Sequence, residues 1–164
     1  YGKQATAWPL QSFSKNLLSM GPFSKRIFSS LLFYPKAYLK QKPYVKVDVL
    51  HGSSLCISKE AFQKTGGYDE DFFLYEEEKV IGQKLRRAGY KSYLCTTCSY
   101  LHEDSGSTKK SLKSLVQRQK LRQKSEALYA RKYLHANFLQ MLLLKAVQAV
   151  ILGETLLYSR FLSK

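Results

Sequence analysis

The chain has 164 residues and a mass of 18.9 kDa, which corresponds to one domain that is long enough to bury a core. Its 45% apolar and 24% charged residues exclude a disordered or collagen-like chain, and three cysteines exclude a disulfide-dense secreted scaffold. The net charge of +15 is uneven: residues 1–50 hold 8 basic and 1 acidic side chains, residues 51–104 hold 7 and 9, and residues 105–164 hold 12 and 2. The two basic arms favour attraction to anions or to a membrane, and the acidic centre between them favours carboxylate chemistry.

The first 45 residues are interrupted by four prolines, which predicts short helices and loops, with helical turns around Arg26–Phe33. Residues 46–58 predict a strand region in which Gly52 provides a bend or a point of close approach. The chain begins with Tyr1 and has no basic-then-apolar signal peptide. We therefore expect it to be a piece of a longer protein.

Two helices are predicted in the centre of the chain. Ser58 is a good N-cap for a helix at 59–64, which the Gly66-Gly67 pair ends. After an aromatic-rich loop, a second helix is predicted from about Glu76 to Ala88, with acidic residues at its start and basic residues at its end, as the helix dipole favours. Residues 90–101 are rich in β-favouring types and predict a strand.

The C-terminal third predicts two long helices, a basic one at about 109–132 and an apolar one at about 134–161. Lys145, Gln148 and Glu154 interrupt the apolar helix, so we expect that it does not span a membrane. Its apolar face is expected to pack on the rest of the protein or on a twin subunit, and contact with a membrane surface is the second interpretation.

An acidic cluster is the sharpest feature of the sequence. Six acids fall within ten residues: Asp69, Glu70, Asp71, Glu76, Glu77 and Glu78. Neighbouring like charges and burial raise a carboxyl pKa, which would suit a general base. Consecutive helical residues point about 100° apart, so Glu77 and Glu78 cannot both face one reacting atom. The alternative is an acid-rich helix start with no chemical role.

Histidine and cysteine provide weaker signals. His102 follows the last predicted strand beside two acids and could ligate a metal or titrate near neutral pH, or be structural. His51 and His135 are expected to be structural. Cys95 and Cys98 form a CxxC pair, which we interpret as buried free thiols in a reducing compartment rather than as a zinc or redox site.

The run HGSSLCISKEAFQKTGGYDEDFFLYEEEKVIGQKLRRAGYKSYL, followed by His102, resembles the C-terminal half of the catalytic domain of family-2 glycosyltransferases. The sequences of those enzymes contain, in this order, a Gly, a "+EAF" helix start, a "GGFDE-x-FFLY-x-E(E/D)" stretch, an "R-x-x-x-GY" helix end and an "H-x-x-S-x-S" segment. The resemblance covers about residues 47–108, and the ordered combination is more specific than any single piece.

The resemblance implies an α/β fold: the C-terminal part of a GT-A, or nucleotide-diphospho-sugar transferase, fold, with a mixed sheet fragment followed by long C-terminal helices. It divides the chain into an irregular segment (1–46), the C-terminal half of the catalytic domain (47–108) and a helical extension (109–164). The N-terminal nucleotide-binding half, with its DxD metal motif, is expected to be absent, so this piece alone should be inactive.

The activity that the resemblance implies is inverting transfer of a sugar from a nucleotide-diphosphate donor to a glycan or lipid-linked acceptor, for cell-surface polysaccharide and cell-wall synthesis. Glu78 would be the catalytic base and Glu77 would position the acceptor. His102 would help to hold a divalent metal (Mg²⁺ or Mn²⁺) whose main ligand is the missing DxD. Five further residues would bind substrate: Gly52, Asp69, Glu70, Ser105 and Ser107. Val80 stands where the family often has a further acid.

Two other functions remain open at this point. The charge of +15 also fits a basic module that binds anions, membranes or nucleic acid without catalysis, although the acidic centre and the lack of a nucleic-acid motif argue against nucleic acid. A structural subunit with the family fold but no catalysis is the other alternative. The expected location is cytoplasmic, either free or peripheral at the inner face of the plasma membrane, and the C-terminal helix could also mediate a homodimer.

Overall fold

The computed structural model describes residues 6–100 and 114–162, and the chain divides into two compact units, residues 1–101 and 102–164. The three-part division expected from the resemblance stays a prediction. Helices and small sheets are mixed in the described residues, which agrees with an α/β class at that coarse level.

The N-terminal unit begins with strand β1 (Ala7–Trp8), followed by three short helices and a 3₁₀ turn. The helices are α1 (Phe13–Leu18), α2 (Pro22–Ile27) and α3 (Ser29–Leu32), and the 3₁₀ turn is Tyr38–Lys40. The prediction of short helices and loops in this region is confirmed. Leu32 is fully buried, so α3 contributes to the core of the unit.

Four short strands form two antiparallel pairs in this unit. Strands β2 (Tyr44–Val47) and β3 (Val49–Leu50) follow each other closely, and β4 (Ser92–Cys95) comes much later. β1 pairs with β3, and β2 pairs with β4. Val45, Val47 and Val49 are buried, so the inner face of these strands is part of the core.

The predicted strands at 46–58 and 90–101 were too long. The first ends at Leu50, and a 3₁₀ turn at Gly52–Ser54 follows, because the His51 ring accepts a hydrogen bond from the Ser53 amide and turns the chain. β4 ends at Cys95, opposite Tyr44, the first residue of its four-residue antiparallel partner β2. Beyond it, the Thr96 hydroxyl donates to the Lys42 carbonyl at 2.7 Å.

The two central helices agree with their predictions. Helix α4 (Lys59–Lys64) is capped by the Ser58 hydroxyl, which accepts from the Ala61 amide at 3.2 Å. Helix α5 (Glu77–Arg87) is followed by Gly89 with φ +84°, the left-handed geometry that favours glycine after a helix. Ala61 of α4 packs with Ile81 and Leu85 of α5, and Leu55, Ile57, Phe62 and Tyr90 lie around them.

Helix α5 lies against β3 at Gly82. A Cβ atom at this position would lie 2.7 Å from the Asp48 carbonyl oxygen and 3.3 Å from Val49 Cγ2. Real Cβ atoms essentially never approach a backbone oxygen that closely. The missing side chain of Gly82 therefore sets how near the helix lies to the strand, and so the position of its N-terminal carboxylates.

The C-terminal unit contains helices α6 (Leu115–Lys132) and α7 (Phe138–Leu162), which pack on each other as a hairpin. α7 begins four residues later than predicted. The reason is a reciprocal cap: Asn137 Oδ1 accepts from the Gln140 amide and Gln140 Oε1 accepts from the Asn137 amide, both at 2.9 Å. His135, with φ +53°, precedes this cap.

Amide side chains join the two helices in the buried part of the hairpin. Gln123 Nε2 donates to the Gln148 carbonyl at 2.6 Å, and Gln148 Nε2 donates to the Gln123 carbonyl at 2.9 Å. Gln148 Nε2 also lies 3.2 Å from Glu126 Oε2. In the same two helices, Tyr129 of α6 and Leu144 of α7 are fully buried. Apolar packing and the hydrogen bonds between Gln123 and Gln148 together fix how the two helices are aligned.

The outer side of α7 is apolar and exposed. Phe138 and Leu139 have 76% and 72% of their surface accessible, and Leu142, Leu143, Val150, Leu156 and Leu157 are also exposed. The stretch Phe138–Leu157 is long and apolar enough to cross a membrane by length and composition alone. By this criterion Lys145, Gln148 and Glu154 do not exclude a span, and the expectation that the helix does not span a membrane stays a prediction.

Candidate active site

The acidic cluster and Gly52 meet at the N-terminus of α5. The Gly52 amide donates to Glu78 Oε1 at 3.2 Å, although the two residues are 26 positions apart. A Cβ atom at position 52 would lie 3.1 Å from Glu78 Oε1 and 3.3 Å from its Cγ. Gly52 is exposed and Glu78 is partly exposed, so the carboxylate lies beside an open stretch of backbone.

A strained turn precedes the N-terminus of α5 and sets its direction. Tyr75 and Glu76 both have φ +68°, a left-handed conformation that costs non-glycine residues about 1–3 kcal/mol each. Lys79 holds the turn in place: its Nζ lies 2.9 Å from Glu76 Oε2 and 2.6 Å from Oδ1 of Asn16, which is buried in α1. Strain of this kind directly before Glu77 and Glu78 is typical of functional sites.

Part of the Glu77 carboxylate is buried. Its Oε2 atom is buried and has no hydrogen-bond partner in the described part of the chain. Burial, and to a smaller extent the carboxylates of Glu78 and Glu76, raise the pKa of Glu77, while a hydrogen bond from its own backbone amide opposes them. Burial, and after it the carboxylates of Glu78 and Glu77, also raise the pKa of the Tyr68 phenol.

Glu77 should make the stability of the protein depend on pH. A carboxyl whose pKa is raised in the folded state stabilises the fold when protonated; this contribution is complete below pH 4.5, the ordinary pKa, and is lost as the pH rises through the folded-state pKa. We expect Glu77→Gln to gain stability relative to the parent between pH 4.5 and neutral pH. Urea midpoints of both proteins across this range measure the difference. A difference that does not change with pH would contradict the expectation.

A chain of polar and aromatic side chains borders Gly52. His51 Nδ1 lies 2.7 Å from Ser53 Oγ, which in turn lies 2.5 Å from the Tyr100 hydroxyl. The Trp8 ring meets the His51 ring edge-on, with 6.2 Å between centroids. The sequence prediction treated His51 as structural and did not consider the others. The one local signal for His51 was its place directly before Gly52.

Of the other predicted site residues, two lie within the described part of the chain and three lie outside it. Asp69 Oδ1 accepts from the Asp71 amide at 3.2 Å, so this carboxylate stabilises its own turn, and Glu70 is exposed. His102, Ser105 and Ser107 lie outside the described residues. Gly52, Glu77 and Glu78 are thus the predicted site residues that the structure brings together.

The described residues do not fit the expected metal by themselves. No group of three or more His, Cys, Asp or Glu side chains that could hold a metal ion occurs within residues 6–100 and 114–162. The ligand expected in this chain, His102, lies in the interval between those ranges.

The cysteines are not buried as predicted. Cys56 and Cys98 are exposed and Cys95 is partly exposed, and all three are free thiols. The reason is that β4 ends at Cys95, which leaves Cys98 in the loop beyond the sheet.

The sequence is similar over part of its length to two curated proteins. Both are N-acetylglucosaminyl-diphospho-decaprenol L-rhamnosyltransferases of Mycobacterium tuberculosis, from strains CDC 1551 / Oshkosh and ATCC 25618 / H37Rv. Each is 37% identical over 59 residues, which are 36% of this chain and 19% of the relative. The chain thus spans about a fifth of the length of these relatives. No protein-family model matches it, and no solved structure matches it.

This partial similarity points to a glycosyltransferase at a coarse level. It agrees with the class that the motifs between Gly52 and Glu78 predict.

Proposed function

We propose that this chain is the acceptor-side part of the catalytic domain of an inverting family-2 glycosyltransferase with a GT-A fold. The observation that carries the proposal is the contact between the Glu78 carboxylate and the Gly52 amide beside an exposed backbone. A carboxylate held beside exposed backbone supports a base that an acceptor can reach, and both residues belong to the motifs that carry the family resemblance. The donor-binding half with the DxD motif lies outside this chain in the proposal.

In this reaction the Glu78 carboxylate takes the proton of an acceptor hydroxyl. The resulting oxygen attacks the anomeric carbon of the donor sugar from the side opposite the nucleoside diphosphate, which leaves with the electron pair of the broken bond. One glycosidic bond forms as one C–O bond breaks, and the configuration inverts. The amide of Gly52 keeps Glu78 oriented, because it binds one carboxylate oxygen, Oε1.

Glu77, Asp69 and Glu70 are proposed to position the acceptor. A buried Glu77 oxygen without a hydrogen-bond partner among the described residues is suited to receive a sugar hydroxyl. His102 keeps its proposed role of holding a divalent metal or the donor diphosphate, and Ser105 and Ser107 keep their proposed role in binding substrate. Bound Mg²⁺ or Mn²⁺ would neutralise charge on the departing diphosphate.

The proposed substrates follow the relatives named above. They are a nucleotide-diphosphate sugar, with activated L-rhamnose as the first candidate, and an acceptor sugar linked to a polyprenyl diphosphate. The test incubates the full-length protein with labelled nucleotide sugars and such an acceptor. Label in the lipid-linked product is the expected result. A full-length protein that transfers no sugar to any lipid-linked or glycan acceptor would overturn the proposal.

We also propose that the helical hairpin attaches the enzyme to the cytoplasmic face of the membrane. Two properties support this: the outer side of α7 is apolar and exposed, and α6 presents exposed Lys120, Arg122, Lys124, Arg131 and Lys132. Exposed apolar and exposed basic side chains in one hairpin fit a bilayer that contains anionic lipids. A lipid-linked acceptor would be found there.

The hairpin is expected to carry the protein to the top of a density gradient with anionic vesicles, and less with purely zwitterionic vesicles. Replacing Leu139, Leu143 and Val150 together with Gln should abolish this flotation. Phe73→Gln, which alters an exposed apolar residue of the other unit, is the matched control and should still float. Protein that stays at the bottom with anionic vesicles would refute membrane attachment.

A further inference from the structure

The loop after β4 holds two thiols in a fixed turn. Cys95 is the last residue of β4 and pairs with Tyr44 of β2. Next to it, Thr96 is anchored to the opposite strand end by two contacts: its amide donates to the Pro43 carbonyl at 2.9 Å and its hydroxyl donates to the Lys42 carbonyl at 2.7 Å. The chain must therefore turn within the next residues, and it brings Cys98 back toward Cys95.

Thr97 lies between the two sulfur atoms. Its hydroxyl oxygen is 3.4 Å from Cys95 Sγ and 4.0 Å from Cys98 Sγ. Thr97 and Cys98 are exposed and Cys95 is partly exposed, so a small reagent in solution can reach both thiols. Cys56, which is also exposed, is a single thiol in another part of the sequence.

The contacts around Cys95 favour its thiolate form. Hydrogen bonds to its sulfur, first from the Thr97 hydroxyl and then from the Cys98 thiol, lower the pKa of Cys95 to about 7. A thiol attacks a disulfide fastest when its pKa is near the ambient pH, since enough thiolate is present and it remains a good nucleophile. Cys95 is therefore suited to attack first and Cys98 to resolve.

We propose that Cys95 and Cys98 form a dithiol site that is reversibly oxidised by low-molecular-weight disulfides such as glutathione disulfide. The Cys95 thiolate attacks one sulfur of the reagent, which forms a mixed disulfide and releases one glutathione thiolate. Cys98, on losing its proton, then attacks the Cys95 sulfur, which forms the Cys95–Cys98 disulfide and releases the second glutathione. The dithiol loses two electrons and two protons, and the reagent is reduced to two thiols.

The test incubates the protein with glutathione disulfide at pH 7 and reads each cysteine by peptide mass spectrometry. We expect the peptide with Cys95 and Cys98 to lose two hydrogens without retaining glutathione, and to regain them with excess reduced glutathione. Cys98→Ser should stop at a stable mixed disulfide on Cys95. Cys56→Ser should leave the Cys95–Cys98 disulfide intact. These three results together support the dithiol site.

Other outcomes would overturn the proposal. One is a parent protein in which Cys95 and Cys98 remain thiols, or each retain glutathione, under conditions in which Cys98→Ser is modified at Cys95. Another is equal modification rates at Cys95 and Cys56 at pH 7, because the turn would then give Cys95 no advantage. Neither result bears on the glycosyltransferase proposal, which involves other residues.

Discussion

Full-length protein with Glu78→Gln is expected to lose about 10²–10⁴-fold in sugar transfer, the usual contribution of a general base. The amide has nearly the same shape as the carboxylate, and its oxygen can still accept the Gly52 hydrogen bond that lies at 3.2 Å in the parent. The change therefore removes basicity while it keeps the turn. Initial rates with a labelled nucleotide sugar and a lipid-linked acceptor measure the loss.

Glu60→Gln is the matched control for this variant. Glu60 is an exposed carboxylate on α4 that accepts a hydrogen bond from the Tyr90 hydroxyl at 3.2 Å, and its replacement makes the same chemical change away from Gly52. Its transfer rate should stay within a small factor of the parent. If Glu78→Gln also retained the parent rate, the base would be another group and the assignment would be wrong.

Replacing Gly82 with Ala is expected to destabilise the N-terminal unit. The new Cβ atom would meet the Asp48 carbonyl oxygen at 2.7 Å, and neither backbone can move without separating α5 from β3. Overpacking costs about 1–3 kcal/mol, whereas Gly→Ala in a helix gains about 1 kcal/mol. The net effect should be a loss of stability, visible as a lower urea midpoint.

Gly153→Ala provides the opposite case. Gly153 also lies within a helix, α7, but a Cβ atom there has nothing within 4 Å, so only the gain in helix propensity remains. Its urea midpoint should equal or exceed that of the parent. A Gly82→Ala protein as stable as Gly153→Ala would show that the contact with Asp48 does not limit the approach of α5.

Elements with local signals could be predicted from the sequence. Ser58 marks the start of α4 and Gly89 the end of α5, and both signals act within a few residues. The strands could not be predicted as well, because the length of β4 is set by β2, which is far away in sequence. The start of α7 depends on the pair Asn137 and Gln140, and two polar residues in an apolar helical pattern do not by themselves show where the helix begins.

The candidate site, like the fold, contains residues that could be predicted from the sequence and residues that could not. Glu77 and Glu78 were visible as a dense run of acids, and the place of Gly52 came from the family resemblance. The contact between Ser53 and Tyr100 spans 47 residues and involves common residue types, so no pattern in the sequence pointed to it. The left-handed turn at Tyr75 and Glu76 was equally hidden, since neither residue type favours that conformation.

The paired amides of the hairpin have a consequence for its behaviour in two solvents. In water, the hydrogen bonds between Gln123 and Gln148 compete with solvent, and burial of Tyr129 and Leu144 supplies much of the helix association. In hydrocarbon, lipid tails remove the hydrophobic drive between helices, but no water competes for the amides. As the apolar side of α7 enters lipid and the basic side chains of α6 stay at the headgroups, the force that holds the two helices together would therefore shift from apolar contact toward hydrogen bonding, so that the hairpin can bind a membrane without opening.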